Sequence, residues 1–285
     1  MAVPAINSES ATALPIGVFD SGVGGLTVLR ALRQRLPHEQ FIYLGDTARL
    51  PYGTKSGDSV LRYSLQAAEF LARQRIKSLV IACNTASSVA VEPLRERFAI
   101  PVIGVIEPGS IAGCAASRTG YIAVLATEGT VRGGAYQRAI TRLRPDAHVI
   151  ARACSLFVAL AEEGWTEGAI AEAIAHRYVD ELLRSEPSID TLLLGCTHFP
   201  VLASALRAVI GSSITIVDSA ATTATAVEAE LRDRRLLNVS HRVSPPILQA
   251  TDSPERFARV GSRFLGESFD ATQVELVDLS PTLQV

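Results

Sequence analysis

Short apolar runs rich in β-branched residues alternate with helical segments over nearly the whole chain. Apolar strands separated by helices are typical of parallel sheets that are covered on both faces. The alternation therefore predicts an α/β fold with mostly parallel sheets. The ten predicted strands are residues 16–20, 41–46, 78–83, 102–106, 121–127, 148–154, 191–196, 215–219, 246–251 and 274–279.

Amphipathic periodicity between the strands predicts helices over most of the intervals. At the last predicted helix, Ser253 is expected to cap the N-terminus and Pro254 to take the first helical position. Residues 1–15 carry no periodic apolar residues and predict a flexible N-terminal tail. The predicted helices are residues 25–36, 58–74, 86–98, 130–143, 166–184, 200–210, 220–237 and 254–265.

Composition limits the class of protein. With 285 residues, of which 48% are hydrophobic and 20% charged, the chain is expected to form one large or two medium globular domains. A formal net charge of −2 argues against binding of a nucleic-acid backbone as the main activity. The sequence has no targeting peptide pattern and no apolar run long enough to span a bilayer. Four separated cysteines without a CxxC pair indicate free thiols, so we expect a cytoplasmic protein without membrane contact.

The chain contains a weak internal repeat. Residues 78–108 and 191–219 each read as an apolar strand ending in cysteine, then Thr or Asn-Thr, a helix and another apolar strand. Upstream, residues 16–25 and 122–131 match as a strand followed by small or hydroxyl residues and glycine. Two similar units that face each other would place one strand-end cysteine on each side of a cleft.

The first predicted strand is followed by a glycine-rich turn from Asp20 to Gly25. Its backbone N–H groups lie between a strand and a helix, where they could hold an anion. The glycine spacing fits neither the dinucleotide fingerprint nor the Walker A loop. We therefore expect the turn to bind a small carboxylate, with a purely structural βα turn as the alternative.

Cys83 and Cys196 differ from Cys114 and Cys154, which read as small buried hydrophobic residues. Each of the first pair ends an apolar strand and precedes hydrogen-bonding residues, and ligands bind beyond the carboxyl ends of strands in open α/β sheets. A helix N-terminus lowers the pKa of a thiol from about 8.5. Both thiols are therefore expected to exchange protons near neutral pH, with a core role as the alternative.

Two thiols on opposite sides of a cleft suit the inversion of a carbon stereocentre. One thiolate would remove the α-proton, and the opposing thiol would return a proton to the other face. Asp20 lies on the Cys83 side of the repeat, and His198 follows Cys196 at i+2. Each of these two side chains could tune the protonation of a thiol.

Other chemistries fit the residues less well. A Cys–His hydrolase usually brings its dyad together from distant segments, whereas Cys196 and His198 are neighbours in sequence. No zinc-ligand spacing is present, so no metal is expected. The only lysines are Lys55 and Lys77, which argues against pyridoxal phosphate, and no cofactor is expected.

Four segments, FDSGVGGL (19–26), GDTARLPYG (45–53), ACNTAS (82–87) and LGCTHFP (194–200), closely resemble the signature segments of the glutamate racemase family. That family lies within the aspartate/glutamate racemase superfamily, and the likeness runs from about Ile16 to Ser219. It implies two pseudo-symmetric α/β domains with the active site in the cleft between them. Residues 16–106 and 218–285 would form the first domain, and residues 107–217 the second.

The resemblance also implies roles for individual residues. Cys83 and Cys196 would be the acid/base thiols, assisted by Asp20 and His198. In ACSLFVALAEEGW (153–165) the family usually has proline where this chain has Ser155. Substrate-binding positions would include Asp20 and His198 together with Ser21, Tyr52, Gly53, Asn84, Thr85 and Thr197. Asp46, Glu162 and Thr127 are further candidate site residues.

The implied activity is that of an isomerase that supplies D-glutamate for bacterial peptidoglycan without a cofactor. A racemase for aspartate or another acidic amino acid remains an alternative, because the same thiols and turns would serve either substrate. A third hypothesis is a regulatory binding protein, which the presence of both cysteines disfavours. The resemblance further implies a homodimer and raises an effector derived from a cell-wall precursor, or a contact with DNA gyrase.

Overall fold

Two parallel sheets organise the computed structural model, which describes residues 11–240 and 242–279. The strands of the first sheet lie in the order β10-β9-β2-β1-β3-β4, those of the second in the order β6-β5-β7-β8, and every pairing is parallel. The α/β prediction is thus confirmed. The strands are β1 (Ile16–Asp20), β2 (Phe41–Gly45), β3 (Ser78–Ile81), β4 (Val102–Gly104), β5 (Tyr121–Ala126), β6 (His148–Ala153), β7 (Thr191–Gly195), β8 (Thr215–Asp218), β9 (Ile247–Ala250) and β10 (Val274–Leu276).

Helices cover both faces of each sheet, and apolar clusters fill the space between the layers. Short 3₁₀ turns at Thr47–Arg49, Tyr52–Thr54, Phe199–Leu202 and Ala271–Gln273 complete the connections. The α-helices are α1 (Leu26–Arg35), α2 (Gly57–Arg73), α3 (Asn84–Arg97), α4 (Ile106–Ala116), α5 (Glu128–Gly133), α6 (Ala135–Leu143), α7 (Ser155–Glu163), α8 (Ala169–Ser185), α9 (Ala203–Ile210), α10 (Ser219–Asp233) and α11 (Pro254–Leu265).

The internal repeat predicted from sequence appears in the sheet topology. The first four strands pair in the order β2-β1-β3-β4, and the next four in the equivalent order β6-β5-β7-β8. Cys83 therefore follows β3, and Cys196 follows β7, at equivalent strand ends. Strands β9 and β10 extend only the first sheet, where they continue from β2.

Two helices were missed by sequence periodicity. Helix α4 begins at Ile106, which was predicted to end a strand, and its Gly109 and Gly113 allow close packing on the second sheet. Helix α7 is apolar on several sides because Phe157 and Leu160 enter the core while Val158 faces a pocket. A helix with small residues or without a polar face gives no amphipathic signal.

Two predicted helix details are corrected. The helix expected over residues 130–143 is divided at Gly134, whose φ of +63° is a left-handed conformation that glycine adopts readily. Pro254 takes the first position of α11 as predicted, but the Ser253 side chain makes no capping hydrogen bond. The backbone of Ser253 has φ +50° rather than the extended conformation of a usual N-cap residue.

The segment before β1 is not wholly a free tail. Residues 1–10 lie outside the described residues, but the Thr12 carbonyl accepts a hydrogen bond from the Lys77 ammonium at 2.6 Å. Lys77 also pairs with Glu39 and donates to the Leu236 carbonyl at 2.9 Å, and both ionic side chains are at most 3% exposed. A buried ion pair therefore ties residues 11–15 to the first sheet.

Removing one charge of this pair should destabilise the fold strongly. Lys77→Met and Glu39→Gln each leave an uncompensated buried group, so we expect each to lower the free energy of unfolding by about 3 kcal/mol in urea titrations. Arg97→Met breaks an exposed ion pair with Glu69 and should cost less than about 1 kcal/mol. Equal losses in all three variants would contradict the buried pair's structural role.

Candidate active site

A cavity of about 300 Å³ lies where the carboxyl ends of the two sheets face each other. This volume is at the low end of ligand pockets and suits a single small metabolite. Twelve of the thirteen candidate site residues line it, and Asp46 does not. The twelve are Asp20, Ser21, Tyr52, Gly53, Cys83, Asn84, Thr85, Thr127, Glu162, Cys196, Thr197 and His198.

The glycine-rich turn after β1 binds a carboxylate of the protein itself. Asp20 Oδ2 accepts hydrogen bonds from the N–H groups of Gly22 at 3.1 Å and Gly25 at 3.0 Å. Burial raises the pKa of Asp20, against the lowering effects of His198 and of these backbone donors. Two N–H groups of the turn are thus used by Asp20, and binding of a small carboxylate by the rest of the turn stays a prediction.

The same turn allows the second sheet to approach closely. A Cβ atom at Gly24 would lie 2.3 Å from His198 Nδ1 and 2.7 Å from Thr197 Oγ1. Beside it, the Thr27 hydroxyl donates to the Thr197 carbonyl at 2.9 Å. The glycine at this position therefore lets the loop after β7 meet the loop after β1 directly.

Cys83 lies at the N-terminus of α3 as predicted, but its pKa is raised rather than lowered. Its Sγ accepts a hydrogen bond from the Ala86 N–H at 3.4 Å and lies 3.6 Å from Ser21 Oγ. Burial and the neighbouring Asp20 carboxylate outweigh these contacts and raise the pKa of Cys83 to about 12. The surroundings of Cys83 therefore favour the protonated thiol, and the prediction of a lowered pKa is wrong for this residue.

Cys196 stands in a different polar environment. It is 5% exposed, and its Sγ lies 3.8 Å from His198 Nδ1. The helical turn after it begins only at Phe199, so His198 rather than Cys196 occupies the N-terminal position. Burial lowers the pKa of His198, but the contacts with Cys196 and Glu162 outweigh it and raise the value to about 10. A protonated imidazole therefore faces the Cys196 sulfur.

Glu162 connects the Cys196–His198 pair to Arg256, a residue that carries no signal in the sequence. Its Oε1 lies 3.1 Å from His198 Nε2, and its Oε2 accepts a hydrogen bond from Arg256 Nη2 at 2.7 Å. Burial raises the pKa of Glu162, but the two cationic partners lower it to about 2. No local motif marks Arg256, because it meets Glu162 only through a contact between residues 94 positions apart.

Asp46 acts behind the pocket wall. Its buried carboxylate accepts hydrogen bonds from the Tyr52 hydroxyl, from Arg49 Nε at 2.7 Å and from Thr251 Oγ1 at 3.1 Å. Tyr52 itself lines the cavity, so Asp46 contacts the site through the tyrosine.

Polar side chains of the two halves also meet across the cavity. The Thr85 hydroxyl lies 2.9 Å from that of Thr127 and 3.2 Å from that of Thr130. Asn84 Oδ1 accepts a hydrogen bond from the Tyr136 hydroxyl at 2.7 Å, while its buried Nδ2 has no partner. An amide donor and several hydroxyl groups are thus available to a polar ligand.

Several cavity residues carried no sequence signal that separated them from ordinary loop or helix residues. This group completes the lining of the cavity around the two thiols. It consists of Leu50, Pro51, Thr54, Glu128, Ser155, Val158 and Ala159.

Neither Lys55 nor Lys77 lines the cavity. Among residues 11–240 and 242–279, no group of three or more His, Cys, Asp or Glu side chains could hold a metal ion. Over the same part of the chain, no helix is long and apolar enough to cross a membrane.

Histidine NMR should show His198 as an imidazolium at about pH 8, because its pKa is raised above the ordinary value of about 6.5. By linkage, its stabilising contribution is complete below about pH 6.5 and is lost as the pH rises toward 10. Glu162→Gln removes the anionic partner and should lower the His198 pKa. Titration of wild-type His198 near 6.5, unchanged in Glu162→Gln, would contradict this.

The chain is similar to known racemases over most of its length. A family model described as Asp/Glu/Hydantoin racemase matches residues 21–227. A glutamate racemase of Geobacter metallireducens is 50% identical and aligns over 92% of this chain and 96% of its own.

Solved structures show the same likeness. Glutamate racemase of Francisella tularensis in complex with D-glutamate has a TM-score of 0.86 and 35% identity over 94% of this chain and 99% of its own. Escherichia coli glutamate racemase in complex with L-glutamate and activator UDP-MurNAc-Ala has a TM-score of 0.70 and 29% identity over 93% of this chain and 98% of its own. Because the family model spans most of the sequence and a half-identical relative aligns almost end to end, this chain belongs to the Asp/Glu/Hydantoin racemase family.

Proposed function

We propose that the protein interconverts L-glutamate and D-glutamate through two cysteine thiols. The observation that carries this proposal is the position of Cys83 and Cys196, which end equivalent strands and line one small cavity from opposite sheets. Both side chains are 5% exposed, so proton transfer would take place away from bulk water.

The reaction needs one proton removed and one delivered. A cysteine thiolate takes the α-proton, and the electron pair of the C–H bond stays on the α-carbon. The opposing thiol then gives its proton to the other face of that carbon, so the two cysteines exchange protonation states. The reverse reaction uses the same two steps in the opposite order.

The remaining polar groups would bind and orient the amino acid. The unpartnered Asn84 Nδ2 and the hydroxyls of Ser21, Thr85 and Thr197 offer hydrogen bonds to its carboxylates. Asp20 lies near Cys83 and could accept from the substrate ammonium or move protons to that thiol. His198, whose Nδ1 lies 3.8 Å from Cys196 Sγ, would assist proton transfer at that sulfur.

Glutamate is favoured over other acidic substrates by the relatives rather than by any single residue. The Geobacter metallireducens relative is a glutamate racemase, and the Francisella tularensis structure holds D-glutamate. A racemase for aspartate would use the same thiols and is the alternative to be excluded. A purely regulatory binding protein would not need two buried cysteines at one cavity.

We place this activity in the bacterial cytoplasm, where D-glutamate would enter peptidoglycan. We also propose a homodimer, which sedimentation velocity on the purified chain would test. The complex of the Escherichia coli relative with UDP-MurNAc-Ala supports a cell-wall precursor as an effector for this chain. A gyrase contact has no comparable support.

We further propose that each sheet forms one domain, residues 16–106 with 218–285 and residues 107–217. Two apolar clusters support this division, because one contains only residues of the first set and the other only residues of the second. Ile106 already packs in the cluster of the second sheet, so the chain crosses between the domains at the start of α4. Hydrogen exchange that protects both segment sets as a single cooperative unit would contradict the division.

The substrate and the absence of a cofactor can be tested in one assay. Purified protein, dialysed against chelator and free of pyridoxal phosphate absorbance, should convert L-glutamate to D-glutamate until the two are equal. The same protein should act on L-aspartate at a rate lower by at least about a hundredfold. A preference for aspartate, or activity that returns only with added metal or pyridoxal phosphate, would overturn the proposal.

Replacement of either thiol should abolish racemisation while sparing one-base chemistry. Cys83→Ser and Cys196→Ser should each lower the racemisation rate by at least about a thousandfold, because a hydroxyl is a very weak acid and base near neutral pH. Cys83→Ser should still exchange the α-proton of L-glutamate with solvent deuterium through Cys196. Cys196→Ser should do so with D-glutamate through Cys83.

Circular dichroism provides the control for folding of both serine variants. Folded variants that racemise at the wild-type rate would exclude the two-thiol mechanism. Exchange of the opposite enantiomer by each variant would keep the mechanism and reverse the assignment of the two faces.

A further inference from the structure

Helix α11 belongs to the first sheet's side of the molecule but reaches the polar groups beside Cys196. Its Phe257 and Phe264 are buried in the core that covers the first sheet. The Phe264 ring also meets the His198 imidazole edge to face, with 5.1 Å between ring centroids. From the same helix, Arg256 extends to Glu162 at the end of α7.

The Glu162 carboxylate is divided between two partners on opposite sides of the cleft. One oxygen lies 3.1 Å from His198 Nε2, and the other accepts from Arg256 Nη2 at 2.7 Å. A carboxylate bound at both oxygens cannot rotate freely, so the arginine fixes the oxygen that faces the imidazole. The side chain of Glu162 is 17% exposed and that of Arg256 41%, so the contact lies at the rim of the site.

The chain of contacts ends at one thiol only. His198 Nδ1 lies 3.8 Å from Cys196 Sγ, whereas the polar contacts of Cys83 are with Ser21 and the Ala86 N–H. Those contacts of Cys83 come from the turn after β1 and the first turn of α3, and they do not include Glu162 or Arg256. A change at Arg256 is therefore expected to affect Cys196 more directly than Cys83.

We propose that Arg256 is a positioning residue that holds Glu162 against His198 and so governs proton transfer by Cys196 more directly than proton transfer by Cys83. This inference rests on the proposed function, because it concerns one of the two proton transfers of racemisation. Arg256 is not among the residues that line the cavity. Arg256 lies on helix α11, which packs on the first sheet, whereas Cys196 follows a strand of the second sheet. The contact between Arg256 and Glu162 therefore links the packing of the two sheets to proton transfer by Cys196.

A racemase offers a readout that separates the two thiols. The equilibrium constant between enantiomers is one, so kcat/KM must be equal in the two directions for every variant. The primary isotope effect need not be equal. If proton transfer by Cys196 is slowed, C–D cleavage by Cys196 becomes more rate-limiting, and the isotope effect for that enantiomer rises. In the opposite direction, C–D cleavage by Cys83 becomes less rate-limiting, and the isotope effect falls.

The test measures kcat/KM and the primary isotope effect for three variants of the full chain, with α-deuterated L- and D-glutamate as substrates. Arg256→Gln should lower kcat/KM by about tenfold, because small displacements of catalytic groups are costly. The isotope effect should rise for the enantiomer deprotonated by Cys196, as identified with the serine variants, and fall for the other. Arg256→Lys keeps the charge without the planar guanidinium and should show a smaller shift in the same direction.

Arg259→Gln is the matched control, since Arg259 is an exposed residue on the same helix. It should leave kcat/KM within about twofold of wild type, as expected for an exposed charge. Thermal melting checks folding, and Arg256→Lys carries the test if Arg256→Gln does not fold. The inference would be overturned if the Arg256 variants had the same kcat/KM as Arg259→Gln, or if their isotope effects changed alike for both enantiomers. An active wild type would preserve the proposed function in either case. A wild type without racemase activity would overturn both.

Discussion

The site depends on a close contact between loops of the two sheets. Gly24 leaves no room for a side chain beside His198, and the Thr27 hydroxyl donates to the Thr197 carbonyl across the same boundary. A larger residue at position 24 would force the loops apart. The two strand-end cysteines could then no longer face one small molecule, because their separation follows from the distance between the sheets.

Burial shifts the pKa values of the site residues, and it also makes their charged forms unstable unless they have partners. Asp20, His198 and both cysteines are removed from water, and a buried charge is stable only with partners. Backbone N–H groups donate hydrogen bonds to Asp20, and the Glu162 carboxylate pairs with His198. The backbone around the two thiols is repeated, but these partners differ, so the acid–base properties of the two sides differ as well.

Much of the fold could be predicted because apolar strands carry a strong local signal. All ten strands lie where short apolar runs predicted them, within a few residues at each end. The prediction failed for α4, whose small residues suit close packing rather than helix propensity, and for α7, which lacks a polar face. At Cys83 the helix N-terminus was predicted correctly, but burial outweighed its effect on the thiol pKa.

The sequence by itself determined the α/β class, the repeat and the position of the two cysteines after equivalent strands, since these depend on residue types at short spacing. Tertiary structure decided which polar groups accompany them. Asp46 lies behind Tyr52 rather than in the cavity, and Arg256 reaches Glu162 from another part of the chain. Contacts between residues far apart in sequence leave no local pattern, because each partner alone resembles an ordinary charged surface residue. Their pairing, and the shift in acid–base strength that follows from it, arises only when the two sheets are packed together.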